Sequence, residues 1–233
     1  MNINKENNSL SVKSIYDLTP FSHLDYPEHL SCIVWFSGCN MRCDYCYNKD
    51  IVFAKNGKFS PNDVLEFLKK RKGLLEAVVL SGGEATMSEL LPFAKAIKEL
   101  GFKIKLDTNG TNPTLLQELI EQNLLDFIAL DFKAPKDKFQ AITHSNKYDD
   151  FIKSLDFLIK SGFDFEARTT LHADLLDEQD INSIIDELKT RGYKNSYYIQ
   201  NFRDTGKNIG GISEAKKSFD FDLLKKDINI IIR

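Results

Sequence analysis

A complete strand–helix–strand pattern lies in residues 77–110, which read AVVLSGGEATMSELLPFAKAIKELGFKIKLDTNG. The segment begins with an apolar run at 77–81, continues with apolar residues at helical spacing over 87–100, and ends with a second short run at 103–107. Short β-branched runs predict strands, and a period near 3.6 predicts a helix. Because a helical crossover joins strands that run parallel, the segment predicts one βαβ unit.

The same alternation extends over most of the chain. Proline lies in the first turn of two predicted helices, and glycine follows the ends of three (Pro61, Pro113; Gly101, Gly162, Gly192). Strands are predicted at 31–37, 77–81, 103–107, 127–132, 163–170 and 197–202, and helices at 61–72, 87–100, 113–123, 147–161 and 178–191. Six units are fewer than the eight of a closed barrel. We therefore predict an α/β fold, a partial (βα)6 TIM-type barrel of parallel strands with outer helices.

The predicted domain organisation has three parts. Residues 1–22 are polar and rich in Asn and Ser, which predicts a loose N-terminal segment. Residues 23–202 form the core domain, and 203–233 form a C-terminal loop and closing element. Three glycines and mixed charge predict that 203–216 is a mobile loop over the active-site edge. The remainder predicts a short helix and a last strand.

Composition narrows the function classes. The 233 residues are 42% apolar and 28% charged, which is ordinary for a globular protein. A net charge of −3 gives no electrostatic footprint for nucleic acid. No apolar stretch approaches the roughly 20 residues of a membrane helix, and residues 1–30 lack a secretory apolar region. With three clustered cysteines among four, we expect a cytoplasmic metal or redox protein without nucleic-acid or membrane partners.

Three cysteines follow the first predicted strand. Cys39, Cys43 and Cys46 form a C-x3-C-x2-C loop, whereas Cys32 lies in the apolar run before it and is expected to pack as a small core residue. An iron–sulfur cluster that needs four ligands, held by three thiolates, would keep one iron open to a small molecule.

Two alternatives stay open for these cysteines. A structural zinc site needs four nitrogen or sulfur ligands, usually as two spaced pairs. The histidines supply no such pair, although His29 or His172 could complete a site. The cysteines could also be unpaired thiols. His172 itself is expected to be exposed and without a role.

Polar residues follow the other predicted strands as well. Glycine lets backbone approach a ligand closely, a glutamate accepts hydrogen bonds from an ammonium group, and an aspartate could bind ribose hydroxyls or a cation. The carboxyl ends of parallel strands share one edge, so these residues are expected to line one site. They are Gly82, Gly83, Glu84, Asp107, Thr108, Asn109, Asp131, Lys133 and Arg168.

Each of these motifs also has an ordinary structural explanation. Gly82–Glu84 and Asn109–Gly110 are typical of turns. Asp131 and Lys133, two residues apart on one strand face, could form an ion pair. Arg168 could pair with Glu166 or Asp131 as readily as with a ligand carboxylate. Tyr45 could shield a cluster, stack on an adenine or simply pack in the core.

Taken in order, the motifs resemble a known family. The cysteine loop is similar to the cluster motif of the radical S-adenosylmethionine (SAM) enzymes, and Gly82–Glu84 to the segment that contacts the SAM amino group. The runs LDTNG at 106–110 and LDFK at 130–133 resemble signatures of the glycyl-radical-enzyme activases. That branch includes the pyruvate formate-lyase activating enzyme and the anaerobic ribonucleotide reductase activators, whose opening segment is similar to LDYP at 24–27. The resemblance extends from Leu24 to Thr170.

The resemblance implies a [4Fe–4S] cluster held by Cys39, Cys43 and Cys46, with SAM on the open iron. It implies reductive cleavage of SAM to methionine and a 5′-deoxyadenosyl radical, which takes a hydrogen from a glycine of a protein partner, with flavodoxin or ferredoxin as electron donor. No general base is needed, so no side chain is assigned a catalytic role. The residues expected at SAM are Tyr45, Gly82, Gly83, Glu84, Asp107, Thr108, Asn109, Asp131, Lys133 and Arg168.

Two residues depart from the family pattern. Glu28 replaces the glycine that usually follows the opening proline, and Tyr47 replaces the usual histidine after the third cysteine. Neither is a predicted cluster ligand, so these departures affect only the expected identity of the protein partner. Two further functions stay open. One is a small-molecule radical SAM enzyme such as a 7-carboxy-7-deazaguanine synthase, although those carry a QGEG-type opening motif. The other is a non-catalytic iron–sulfur or zinc module, which would leave the later motifs unexplained.

Overall fold

The computed structural model describes residues 10–233. Within them, eight strands and seven α-helices alternate along the chain. They are β1 (Ile15–Ser22), β2 (Ser31–Phe36), α1 (Lys49–Phe53), α2 (Pro61–Lys69), β3 (Ala77–Gly82), α3 (Leu90–Glu99), β4 (Lys103–Thr108), α4 (Pro113–Glu121), β5 (Phe127–Asp131), α5 (Lys136–Thr143), α6 (Tyr148–Ser161), β6 (Phe165–Leu171), α7 (Glu178–Thr190), β7 (Tyr197–Asn201) and β8 (Ile230–Ile232).

The chain divides into two compact units. The first holds the described residues up to 40, together with 50–108 and 114–128; the second holds 41–49, 109–113 and 129–233. In the first unit β1 pairs antiparallel with β2, and β2, β3 and β4 run parallel in that order. In the second unit β6, β7 and β8 run parallel. Parallel strands joined by helices confirm the predicted α/β class.

The six predicted strands and five predicted helices are all present, with ends shifted by a few residues. Cys32, expected in the core, is fully inaccessible, and Phe151, Leu155 and Leu158 are buried on one face of α6. The predicted closing element consists of a single 3-10 turn at Phe221–Leu223 followed by β8. Among residues 10–233, every helix is too short or too polar to cross a membrane.

One predicted segment needs correction. The composition of residues 1–22 predicts a loose segment, but 15–22 form β1; residues 1–9 lie outside the described part. The sequence signal is weak because Pro20 interrupts the strand, where the register with β2 shifts between Thr19 and Ser22. The strand is held by backbone pairing and by Trp35 Nε1, which donates to Thr19 Oγ1 at 2.9 Å. The division into 23–202 and 203–233 stays a prediction.

Two short helices have no clear signal in the sequence. Helix α1 spans five residues and α5 spans eight, and neither is long enough to show a clear 3.6-residue period. Both matter for the site, because α1 directly follows the cysteine loop and α5 ends beside it. The α5 C-cap is His144 in the left-handed conformation, with φ of 53°.

Candidate active site at the cysteine loop

The second half of the cysteine loop is a tight turn in the second unit. Cys46 N donates to the Cys43 carbonyl at 2.9 Å, which brings these two cysteines onto one turn. The C-terminal end of α5 holds the same turn. Arg42 N donates to Thr143 O at 2.9 Å, and Asp44 N donates to Ile142 O at 3.1 Å.

Burial dominates the chemistry of Cys43. It raises the pKa of the thiol to about 11, while nearby Lys133 acts in the opposite direction. A cluster takes thiolates, so a buried cation beside this sulfur favours the form that binds iron. The donor chemistry of the loop therefore fits an iron–sulfur cluster. Within residues 10–233, however, no three Cys, His, Asp or Glu side chains are gathered closely enough to hold a metal ion. The assignment of Cys39, Cys43 and Cys46 as ligands stays a prediction.

Tyr45 lies inside the unit and is 4% exposed. Its hydroxyl makes no hydrogen bond of ordinary geometry within the described part of the chain. Lys133 Nζ lies 5.9 Å from the ring centroid. Burial raises the pKa of the phenol well above its usual value. A neutral aromatic ring beside Cys43 excludes water from this side of the loop.

Asp131, at the end of β5, accepts hydrogen bonds from two cations. Lys133 Nζ donates to Oδ2 at 2.8 Å, and Arg168 Nε donates to Oδ1 at 2.5 Å. Burial alone would raise the pKa of Asp131, but Arg168 and Lys133 lower it to about 2. Arg168 also lies 4.0 Å from Glu166. The predicted internal ion pair is thus present, and the cluster brings two cations together with Asp131 and Glu166.

In the first unit, the Gly82–Glu84 segment packs against the start of the cysteine loop. Gly83 N donates to Phe36 O at 2.9 Å, and Glu84 N donates to Gly38 O at 2.8 Å. A Cβ at Gly83 would lie 1.8 Å from the Gly38 carbonyl oxygen. Only glycine permits this approach. Gly83 therefore places backbone against Gly38, the residue that precedes Cys39.

Glu84 is a buried residue, 2% exposed, and the alternative interpretation of this segment as a surface turn is wrong. Its Oε1 accepts hydrogen bonds from Thr86 N at 3.1 Å, Thr86 Oγ1 at 2.6 Å and Thr108 Oγ1 at 2.8 Å. These donors orient the carboxylate and account for the burial of Thr108.

Asp107, at the end of β4, is fixed through both of its oxygens. Lys105 Nζ donates to Oδ1 at 2.7 Å, and Ser81 Oγ donates to Oδ2 at 3.0 Å. Lys105 is only 3% exposed. It is a residue that sequence reasoning missed; the one signal was its position two residues before Asp107, on the same strand face.

Asn109 builds a turn at the start of the second unit's 109–113 segment. Its Oδ1 accepts from Thr111 N at 3.1 Å and from Thr111 Oγ1 at 2.7 Å. The next residue, Gly110, has φ of 70°. The Asn-Gly pair thus forms the turn that its sequence also indicated. A contact between Asn109 and SAM stays a prediction.

His172 is a buried residue, and the prediction that it is exposed is wrong: the side chain is 3% exposed. Its Nε2 lies 2.8 Å from the Ser213 carbonyl oxygen, which can only accept, so this nitrogen carries the proton. Nδ1 accepts from Asp174 N at 3.3 Å. His172 directly follows β6, and its bond to Ser213 O fixes the 203–216 segment beside the end of that strand. Nothing in the local sequence indicates this long-range contact.

The sequence comparisons agree with one another. The profile of the Radical SAM superfamily matches residues 33–201. A protein of Methanocaldococcus jannaschii, named as a glycyl-radical enzyme activating enzyme, is 33% identical over 188 residues, covering 76% of this chain and 75% of that protein. The pyruvate formate-lyase-activating enzyme of Clostridium pasteurianum is 31% identical over 152 residues, covering 61% of this chain and 63% of that enzyme.

Solved structures share the fold at low identity. Native anSMEcpe with bound AdoMet has a TM-score of 0.59 and 19% identity, covering 72% of this chain and 50% of that one. SuiB of Streptococcus suis bound to its precursor peptide has a TM-score of 0.64 and 16% identity, covering 94% of this chain and 45% of that one. The chain spans about half the length of these solved proteins.

The chain shares the fold of these solved proteins, and the predicted partial-barrel class is confirmed. The family profile covers more than half of the chain, and the first curated relative is matched over three quarters of its length. The chain therefore belongs to the radical SAM superfamily, as an enzyme whose cofactors are a [4Fe–4S] cluster and SAM.

Proposed function

We propose that this enzyme installs a glycyl radical on a protein partner. The relatives named as activating enzymes support a protein substrate. The structural observation that carries the proposal is the cation pair beside the cysteine turn. Lys133 and Arg168 both donate to Asp131, next to Cys43 and Tyr45, and Arg168 also lies 4.0 Å from Glu166. Two cations at this place suit the carboxylate of an amino acid such as SAM.

Cys39, Cys43 and Cys46 would hold the cluster as thiolates. When bound and reduced, the cluster supplies the electron that cleaves SAM to methionine and the adenosyl radical. The chain's own residues bind and orient. Lys133 favours the thiolate of Cys43 electrostatically, and Tyr45 keeps water from that sulfur.

The remaining predicted residues would recognise SAM by charge and hydrogen bonding. Glu84 is oriented by Thr86 and Thr108, and it would accept from the ammonium group. Arg168 and Lys133 would bind the carboxylate of SAM. Asp107, whose charge Lys105 balances, would accept from ribose hydroxyls. Each of these groups is fixed by neighbours before a ligand arrives, which lowers the entropy cost of binding.

Partner and compartment extend the proposal further. An anaerobic ribonucleotide reductase or a related glycyl radical enzyme would receive the radical, and flavodoxin or ferredoxin would supply the electron. The cytoplasm, where such reductants and free thiols are maintained, is the proposed compartment.

The test begins with anaerobic reconstitution with iron and sulfide, followed by electron paramagnetic resonance of the reduced protein with and without SAM. We expect a signal that shifts on adding SAM, and formation of methionine and 5′-deoxyadenosine with dithionite as reductant. Cys39→Ser, Cys43→Ser and Cys46→Ser should each lose most of the bound iron. Cys32→Ala is the matched control, because this buried thiol lies in β2 and not in the loop.

Two results would count against the proposal. A cluster whose paramagnetic signal does not change on adding SAM would contradict the enzyme function. SAM cleavage without a glycyl radical on a co-expressed glycyl radical enzyme would contradict the proposed protein substrate. It would favour a small-molecule substrate instead.

A further inference from the structure

Residues 208–213, here called the strap, lie against the turn that carries Cys43 and Cys46. Ile209 N donates to Cys46 O at 3.0 Å, and Gly210 N donates to Asp44 O at 2.9 Å. The strap belongs to the segment predicted as a mobile loop. Its backbone instead pairs with the cysteine turn in a short ladder.

The strap and α5 bind the same turn through opposite hydrogen-bonding groups: the strap supplies donors and α5 supplies acceptors. Ile142 O and Thr143 O accept from the amides of Asp44 and Arg42, whereas the strap donates to the carbonyls of Asp44 and Cys46. The turn is therefore held by two elements through both its donors and its acceptors. Asp44 is further fixed by His144, whose Nε2 lies 2.8 Å from Oδ1.

Gly210 makes the contact sterically possible. A Cβ at this position would lie 2.6 Å from Asp44 Cβ and 2.9 Å from Asp44 Cα. Such distances are shorter than van der Waals contact and involve the backbone of the cysteine turn itself, which cannot move without displacing Cys43 or Cys46. The neighbouring Gly211 has φ of 64°, and a Cβ there would meet nothing within 4 Å.

Two buried polar side chains shape the strap. Asn208 is 7% exposed, and its amide closes a loop on Ile212: Oδ1 accepts from Ile212 N at 2.8 Å and Nδ2 donates to Ile212 O at 2.5 Å. His172 anchors the far end through Ser213 O, and its ring packs edge-on against Phe202 at 4.8 Å between centroids. Surface loops are normally exposed and mobile, so buried and hydrogen-bonded polar side chains indicate that the strap has a fixed position.

We propose that the strap is a positioning element for the cluster, with Gly210 and Asn208 as the residues that dock it. By fixing the carbonyls of Asp44 and Cys46, the strap holds the cysteine turn in one geometry and limits the opening through which oxygen and water reach the cluster. This inference rests on the proposed role of Cys43 and Cys46 as ligands.

The experiment compares reconstituted wild-type protein with three variants. Gly210→Ala introduces the clash with Asp44, and Asn208→Asp removes the amide donor without adding an atom at that contact. Gly211→Ala is the matched control, since it carries backbone strain in the same strap without a clash. Hydrogen–deuterium exchange of peptides covering 205–214 reports docking. Bleaching of the cluster absorbance in air and the paramagnetic spectrum of the reduced cluster report positioning.

We expect Gly210→Ala and Asn208→Asp to raise exchange in the strap and to lose the cluster about tenfold faster, the effect of removing one or two net hydrogen bonds. Gly211→Ala should keep wild-type bleaching. Faster exchange with unchanged bleaching and an unchanged spectrum would overturn the inference, as would equal effects of all three variants. A wild-type protein that takes up no cluster would overturn the proposed function itself.

Discussion

Lys105 and Asp107 form a buried ion pair within β4: Lys105 Nζ lies 2.7 Å from Asp107 Oδ1, with side chains 3% and 13% exposed. Residues two apart on a strand point to the same face, which makes the pair geometrically natural. Ser81 from the adjacent strand β3 binds the other oxygen at 3.0 Å. The sheet thus sets the orientation and charge balance of Asp107, which is predicted to bind SAM.

Removing the cation from this pair should be costly. Lys105→Met leaves the Asp107 carboxylate buried without its cation, and we expect a loss of about 3 kcal/mol in the free energy of unfolding. Lys103→Met, at the exposed start of the same strand, should change it by less than about 0.5 kcal/mol. Urea unfolding of the cluster-free proteins followed by circular dichroism measures both. The double variant Lys105→Met/Asp107→Asn should recover most of the loss. Equal stabilities of Lys105→Met and Lys103→Met would contradict a buried pair.

Acid should weaken the network around Asp131. The pKa of this carboxyl is about 2 in the folded protein, because Arg168 and Lys133 outweigh its burial. The unfolded value is near 3.9, so the added stability is complete above about pH 4 and is lost as the pH falls toward 2. Its size is about 2 kcal/mol.

Asp131→Asn isolates this contribution. The variant should be less stable than wild type at neutral pH, with a gap that narrows as the pH approaches 2, because only wild type has a carboxyl to protonate there. Urea titrations at several pH values would show the trend. A gap that stays constant with pH would mean that the ion pairs with Lys133 and Arg168 add nothing to stability.

A substitution at Glu84 can remove the charge of the side chain while keeping its shape. Glu84→Gln keeps the shape of the side chain and an oxygen that can accept from Thr86 and Thr108. The loss of the charged acceptor for an ammonium group should weaken SAM binding by about 10-fold to 100-fold. Anaerobic calorimetric titration of SAM into the reconstituted protein measures this. Glu89→Gln, at an exposed position before α3, is the control and should bind SAM as wild type does.

Gly110 has a packing role besides its turn conformation. A Cβ there would lie 2.6 Å from Leu130 Cδ1 and 3.1 Å from Phe151 Cδ2, at a φ of 70°. Gly101 has a similar positive φ of 90° with nothing within 4 Å. Both alanine variants should lose about 1 kcal/mol from backbone strain, and Gly110→Ala should lose about 1–3 kcal/mol more from overpacking. Equal thermal midpoints for the two variants would show that Leu130 relaxes freely.

Much of the fold and the motif set could be predicted from the amino-acid sequence. Strands β2 to β7 are short apolar runs, and the longer helices between them show a 3.6-residue period; both signals are local. The cysteine loop is also local, since its chemistry depends on residue type and spacing. The same holds for the turn at Asn109 and Gly110. Strand β1 could not be predicted, because Pro20 interrupts its pattern where the register with β2 shifts.

The amino-acid sequence by itself determined the order of strands and helices, the loop of three cysteines and the family that these motifs indicate. Only the tertiary structure decided which charges are buried and which loops are docked. Lys105 is buried against Asp107 of its own strand, and His172, predicted to be exposed, is buried where Ser213 O accepts from it. The strap contacts Asp44 through Gly210, far along the chain. Burial and docking depend on contacts between residues remote in sequence, and no local pattern encodes those contacts.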